Sequence, residues 1–170
     1  MTERFYEMKD TSFAGVPMAQ TWADLYLWEV VLNENPEVVA VVELGSWKGG
    51  LSLYLEAQCD GRGLEFRCYD VREPEKPVRG FVRADIFRHK DQINSYLRSF
   101  QAPIILFCDN GNKPREAQEF GPSLSRRSLM IVHDWGEEIS EADIPACFQQ
   151  ELADFCKSLY SRCAVFRMMK

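Results

Sequence analysis

The chain has 170 residues, 46% hydrophobic and 27% charged, a globular balance that excludes a disordered polypeptide and gives room for one domain but not for two of comfortable size. Its formal net charge of −6 argues against non-specific nucleic-acid binding, which needs a basic surface to neutralise phosphates. None of the six cysteines forms a CxxC pair, so neither a zinc site nor a dithiol redox motif is suggested.

In chain order, residues 1–14 are expected as an N-terminal segment, partly flexible. Met1 to Asp10 is charged and lacks the apolar stretch of a signal peptide. A first helix is predicted from Met18 to Asn33, with Met18, Trp22, Leu25, Trp28 and Leu32 on one face. Asn35-Pro36 stops it. Val38 to Leu44 is a nearly continuous β-branched run, the pattern of a strand buried on both faces. A glycine-rich turn, Gly45 to Gly50, leads into a helix from Leu51 to Gln58. A second strand runs from Leu64 to Tyr69 and a third from Val78 to Ala84. After it comes a helix with Ile93, Leu97 and Phe100 on one side. The fourth strand is Ile104 to Cys108, followed by a helix near Arg115 to Leu124 that Gly121-Pro122 interrupts. The fifth strand is Ser128 to Val132. Asp143 reads as the N-cap of a further helix, with Pro145 in its first turn and an apolar stripe of Ile144, Phe148, Leu152 and Phe155. Cys163 to Met168 closes the chain as an antiparallel strand at or near an edge. Strand-length apolar runs alternating with helix-length amphipathic stretches predict an α/β fold: a single domain over 1–170 with a doubly wound, mostly parallel sheet and helices on both faces. No apolar run approaches the roughly 20 residues of a membrane span. Several cysteines sit in apolar runs as small hydrophobes, so a reducing, cytoplasmic location is expected.

Each of the first five strands ends in polar or acidic residues: Glu43, Asp70, Asp85, Asp109 and the pair His133-Asp134. In an open parallel sheet these ends share one rim, and ligands bind in the crevice beyond it where the strand order reverses. Gly45, Gly49 and Gly50 allow a tight turn and close approach of a ligand. Asp70 follows about 20 residues later, the spacing at which a carboxylate receives ribose hydroxyls. A nucleoside-containing ligand is therefore expected. Trp47 takes the place of a glycine in the dinucleotide pattern, and Glu43 would repel a diphosphate. A carboxylate there suits a ligand carrying an ammonium group, such as the methionine end of S-adenosylmethionine.

Glu43-Leu44-Gly45-Ser46-Trp47-Lys48-Gly49-Gly50 resembles the first motif of class I S-adenosylmethionine-dependent methyltransferases. Upstream, Gly15-Val16-Pro17, a short spacer, Gln20, an amphipathic helix ending at Pro36 and an apolar strand follow the order seen in the cephalosporin hydroxylase family, which includes proteins similar to rhamnosyl and macrolide O-methyltransferases. The similarity covers about Ser12 to Trp135. The resemblance implies a Rossmann-like fold with S-adenosylmethionine as cofactor. Gly45, Trp47 and Gly49, with Glu43 and Ser46, would line the methionine and ribose region. Asp70 would hold the ribose hydroxyls, Val71 beside it is a further cofactor-binding candidate, and Asp85 with Ala84 and Ile86 would sit by the adenine. Asp109 would close the set. The family often binds a divalent metal through an acid ending the fourth strand and an acid pair ending the fifth, here Asp109, His133 and Asp134. His133 departs from that pattern. Magnesium prefers oxygen ligands, and a histidine shifts preference toward manganese, iron or zinc, or means no metal.

Alternatively His133, beside Asp134, is the general base for a substrate hydroxyl. Lys113 is a weaker candidate base, and a solvated lysine at a helix start is its plainer reading. Among the aromatics Trp22, Tyr26, Trp28 and Trp135, only Trp135 stands beside the expected acceptor site. The expected reaction is methyl transfer to a hydroxyl of a small molecule or sugar. No obvious lid is present, so the acceptor site is open or completed by a partner subunit, which makes a homo-oligomer an expectation. Three other functions stay open: a non-catalytic S-adenosylmethionine or S-adenosylhomocysteine binder, a nicotinamide-dependent oxidoreductase, and a structural domain.

Overall fold

The computed structural model describes residues 11–170; the charged stretch Met1 to Asp10 lies outside the described residues. A short hairpin comes first, β1 (Ser12–Phe13) against β2 (Val16–Pro17). Strands of two residues carry no readable periodicity, and the sequence gives them no separate signal. The helix α1 (Trp22–Glu34) begins later than Met18. Thr21 caps it: its hydroxyl accepts the Asp24 amide at 3.2 Å while the Asp24 carboxylate accepts the Thr21 amide at 2.8 Å. The buried face of α1 carries Leu25, Leu27, Trp28, Val31 and Leu32, whereas Trp22 points to solvent.

The remaining elements are β3 (Ala40–Leu44), α2 (Gly50–Arg62), β4 (Glu65–Asp70), β5 (Phe81–Arg83), α3 (Lys90–Ser99), β6 (Ile104–Cys108), α4 (Lys113–Phe120), β7 (Leu129–Val132), β8 (Phe148–Glu151), α5 (Ala153–Leu159) and β9 (Ala164–Met168). They build one seven-stranded sheet in the order β5-β4-β3-β6-β7-β9-β8. The pairings from β5 through β7 are parallel, and β9 is antiparallel to both its neighbours. Alternate residues of β3, β6 and β7 feed opposite cores. Val41, Ile105, Phe107, Leu129 and Ile131 pack under α1, α2 and α5. Val42, Leu44, Leu106, Met130 and Val132 pack under α3 and α4. The continuous apolar runs of these strands follow from burial on both faces. The expected doubly wound α/β fold is the observed one. The chain leaves β3 toward β4 and β5, then returns to the other side of β3 as β6, so the order reverses between β3 and β6.

One segment departs from expectation. The helix predicted from Asp143 is absent. Ser140 caps a short 3-10 turn, Glu141–Asp143, and Asp143 is the third residue of that turn, accepting the Ser140 amide at 2.9 Å. Phe148–Glu151 is then an edge strand on β9, and α5 starts only after Leu152, which takes a left-handed φ of 56°. The supposed stripe divides between the two cores: Ile144 and Phe148 pack on one face of the sheet, Leu152 and Phe155 on the other. Pairing with β9, which would otherwise be an open edge, outweighs local helical preference. Among the described residues no helix is long and apolar enough to cross a membrane.

Candidate active site

The reversal between β3 and β6 opens a crevice of about 250 Å3. Its walls come from the approach to α1 (Met18, Gln20), the end of β3 and the turn after it (Glu43, Gly45, Ser46, Trp47), the start of α2 (Gly50, Leu51), and the region after β6 (Asp109, Gly111, Lys113), with Glu138 on the rim. Five of the residues assigned to the cofactor from sequence therefore meet in one place: Glu43, Gly45, Ser46, Trp47 and Asp109. Trp47 is 52% exposed at its mouth and holds φ at +46°, an uncommon conformation for a bulky residue.

Glycines shape this turn chiefly through the chain itself. A Cβ on Gly45, whose φ is +94°, would stand 2.5 Å from the Asp109 carbonyl oxygen. One on Gly50 would stand 2.4 Å from the Pro17 carbonyl oxygen. The turn thus needs glycine so that β6 and the N-terminal hairpin can close against it.

Asp70 lies at the end of β4 and binds the turn directly. Its Oδ2 accepts the amides of Ser46 at 3.0 Å and Trp47 at 2.9 Å, and its Oδ1 accepts the Arg72 amide at 2.9 Å. The other residues expected on the cofactor do not line the crevice. Gly49 backs onto Pro74. Val71 is exposed and Ile86 is fully buried in the core beneath α3. Ala84 donates its amide to the Asp70 carbonyl. Asp85 accepts the Phe87 and Arg88 amides at 3.0 and 3.2 Å and pairs with Arg88, so it shapes the approach to α3.

Glu43 is buried, and its Oε2 accepts a 2.5 Å hydrogen bond from the Ser52 hydroxyl. No cation among the described residues pairs with it. Burial drives its pKa up to about 8, against the lowering effect of Ser52, and the carboxylates of Asp109 and Asp70 add to the rise.

Beside it lies a dense charged cluster. Asp109, His133 and Asp134 each offer a ligand atom within 4.8 Å of the others. His133 Nδ1 stands 3.2 Å from Asp109 Oδ1 and 3.3 Å from Asp134 Oδ1, and its Nε2 is buried without a partner. Burial lowers the pKa of His133, but the hydrogen bonds to Asp109 and Asp134 outweigh it and lift the pKa to about 9. His133 does not itself line the crevice. Asp134, with φ at +56°, is held well below the usual carboxylate range: burial raises its pKa, but His133 and Lys113 more than reverse that. Lys113 is not solvated. It is 3% exposed, and its ammonium lies 3.2 Å from Asp109, 2.9 Å from Asp134 and 2.9 Å from Glu138.

Gln20 stands in the family resemblance but its partner does not show in the sequence, and Glu138 and Glu116 carry no signal there. Gln20 donates to Asp109 Oδ2 at 3.0 Å. Glu138 pairs with Lys113 from a loop after β7. Glu116 is fully buried and accepts the amides of Asn110 and Asn112, which shapes the loop between Asp109 and Lys113. Conversely, Trp28 packs on Phe107 in the core and Trp135 on Phe166, and neither reaches the crevice.

Neither a protein-family model nor a curated protein sequence matches the chain. Solved structures do. CmcI with S-adenosylhomocysteine aligns with a TM-score of 0.67 at 16% identity, over 92% of this chain and 81% of that one. CmcI with magnesium and S-adenosylmethionine gives 0.58 at 16% identity over 73% of this chain. The MycE methyltransferase from the mycinamycin biosynthetic pathway, in complex with magnesium, S-adenosylhomocysteine and mycinamycin VI, gives 0.51 at 12% identity over 87% of this chain. The chain shares its Rossmann-like α/β fold with these structures. It spans 57% of the magnesium-bound CmcI chain and 48% of MycE. Within this fold the crevice lies where the strand order reverses, beside the first glycine turn.

Proposed function

We propose that the chain binds S-adenosylmethionine across the crevice and its rim and acts as a methyltransferase toward a hydroxyl oxygen of a small molecule. The observation that carries this reading is Glu43: a buried carboxyl with no cationic partner, facing a crevice beside the glycine turn of a methyltransferase fold. A ligand ammonium would displace the proton that burial keeps on this carboxyl and pair with the carboxylate. The crevice is at the small end for ligand pockets, so it takes the amino-acid end of the cofactor, and the nucleoside lies over the open rim near Asp70.

S-adenosylmethionine, when bound, supplies a methyl group on a positively charged sulfur. The residues supply the rest. Glu43 holds the ammonium. Asp70 keeps the Ser46 and Trp47 amides in the turn. Trp47 covers the mouth and limits water. Asp109 faces the crevice, and the Oδ2 lone pair that Gln20 leaves free accepts the acceptor hydroxyl's hydrogen bond and takes its proton as the oxygen–methyl bond forms and the carbon–sulfur bond breaks, its electron pair going to sulfur. His133 is a positioning residue, fixing Asp109 from behind. The six cysteines are free, which suits a reducing, cytoplasmic setting.

Calorimetric titration with S-adenosylmethionine, and with NAD as comparator, tests the reading. Binding of the first ligand only, in the micromolar range, is expected. A folded protein that binds neither refutes it.

A further inference from the structure

A buried ammonium is costly unless it is paired, and Lys113 is paired with carboxylates from three parts of the chain: Asp109 at the end of β6, Asp134 at the end of β7 and Glu138 in the loop beyond. Two of these are residues that the family resemblance assigns to a divalent metal. The third such residue, His133, turns Nδ1 toward both of them. Every carboxylate oxygen of the pair is already engaged. Asp109 Oδ1 meets Lys113 and His133, and Oδ2 accepts from Gln20. Asp134 Oδ1 meets His133 and Arg162, and Oδ2 meets Lys113. The lysine has little freedom to withdraw. It is the first residue of α4, where the Asn112 side chain caps the helix by accepting the Arg115 amide, and buried Glu116 binds the preceding loop through the Asn110 and Asn112 amides.

A divalent ion about 4 Å from an ammonium meets a repulsion that costs about thirtyfold in affinity even at the dielectric of water. The residues present therefore do not fit the metal. We propose that Lys113 is a resident cation that takes the place of the divalent metal: its ammonium neutralises Asp109 and Asp134 and excludes magnesium and manganese from this cluster. The exclusion follows from the charges and does not rest on the methyl-transfer reading.

The test is manganese binding followed by electron paramagnetic resonance, on the full chain without S-adenosylmethionine, so that failure of cofactor binding cannot be mistaken for failure here. Wild type should bind no more manganese than Asp109→Asn. Lys113→Met keeps the length and removes the charge; it should take up one equivalent at least about thirtyfold more tightly than wild type, and the added Asp109→Asn should abolish this. An equivalent of manganese held by wild type and lost in Asp109→Asn overturns the proposal. So does a folded Lys113→Met that binds no better than wild type. Should Lys113→Met fail to fold, the wild-type comparison decides alone: binding that depends on Asp109 refutes, and its absence supports.

Discussion

Glu43→Gln separates the cost of the unpaired carboxyl from its use. The Glu43 pKa rises from 4.5 to about 8 in the folded chain, with desolvation the largest cause. Between those values the folded state holds a proton that the unfolded state has released. Stability therefore falls as pH rises through this window, by about 1.4 kcal/mol per pH unit for this one group. From pH 4.5 to 7 the accumulated loss is about 3 kcal/mol. Glutamine has the same shape, can still accept from Ser52, and does not titrate. The variant should gain on wild type steadily across that range, reaching roughly 6–12 °C in melting temperature near pH 7 for a chain of this size. It should also bind S-adenosylmethionine more weakly, because the charge that receives the ammonium is gone. In wild type, binding below pH 8 should release about one proton from Glu43, seen as a dependence of calorimetric enthalpy on the buffer. Thermal melts from pH 5 to 8 on both proteins check this. A stability difference that does not change with pH, together with unaltered affinity, refutes the reasoning.

Three further outcomes follow from the same geometry. Gly50→Ala should destabilise by about 2 kcal/mol or more, since the new Cβ meets backbone carbonyl oxygens of Val16 and Pro17 within 2.5 Å; chemical denaturation measures it, and a loss under about 0.5 kcal/mol would contradict the packing. Asp70→Asn should cost about 1–3 kcal/mol through weaker acceptance of the Ser46 and Trp47 amides, and it should weaken S-adenosylmethionine binding with little change in NAD response. His133, whose pKa is raised to about 9, contributes stability that is fully present below its unfolded value near 6.5 and is lost as pH rises through 9. His133→Asn should remove that loss, and the imidazole resonances of wild type should still report a charged ring at pH 7.5; a neutral ring there would contradict the arrangement.

The centre of the sheet was legible because β3, β6 and β7 are buried on both faces, so apolar runs such as Ile104 to Cys108, or Ala40 to Leu44 broken only by Glu43, mark them. The strand ends were legible for the same reason: a polar residue closing such a run must sit at the rim. What the sequence does not carry is the pairing across distance. Lys113 looks like any lysine opening a helix until Asp134 and Glu138 arrive from beyond β7. Phe148 and Leu152 keep helical spacing, yet they face opposite cores once β9 offers its edge. Asp70 has the spacing of a ribose acceptor, and what the structure shows its carboxylate holding is the turn.

The turn is built the same way on its other sides. If Gly45 and Gly50 served only to admit a ligand, their missing Cβ atoms would face open space. They face the Asp109 and Pro17 carbonyls instead, so the turn is fixed by β6 and the hairpin before any ligand binds. The Asp70 carboxylate ties the same turn from the side of β4. Three neighbours thus set the backbone that carries Ser46 and Trp47, and the Glu43 carboxyl is left as the one crevice group without its counter-charge among the described residues. Such a site is organised in advance and poorly satisfied electrostatically. A ligand bearing an ammonium then gains affinity from charge and loses little to rearrangement.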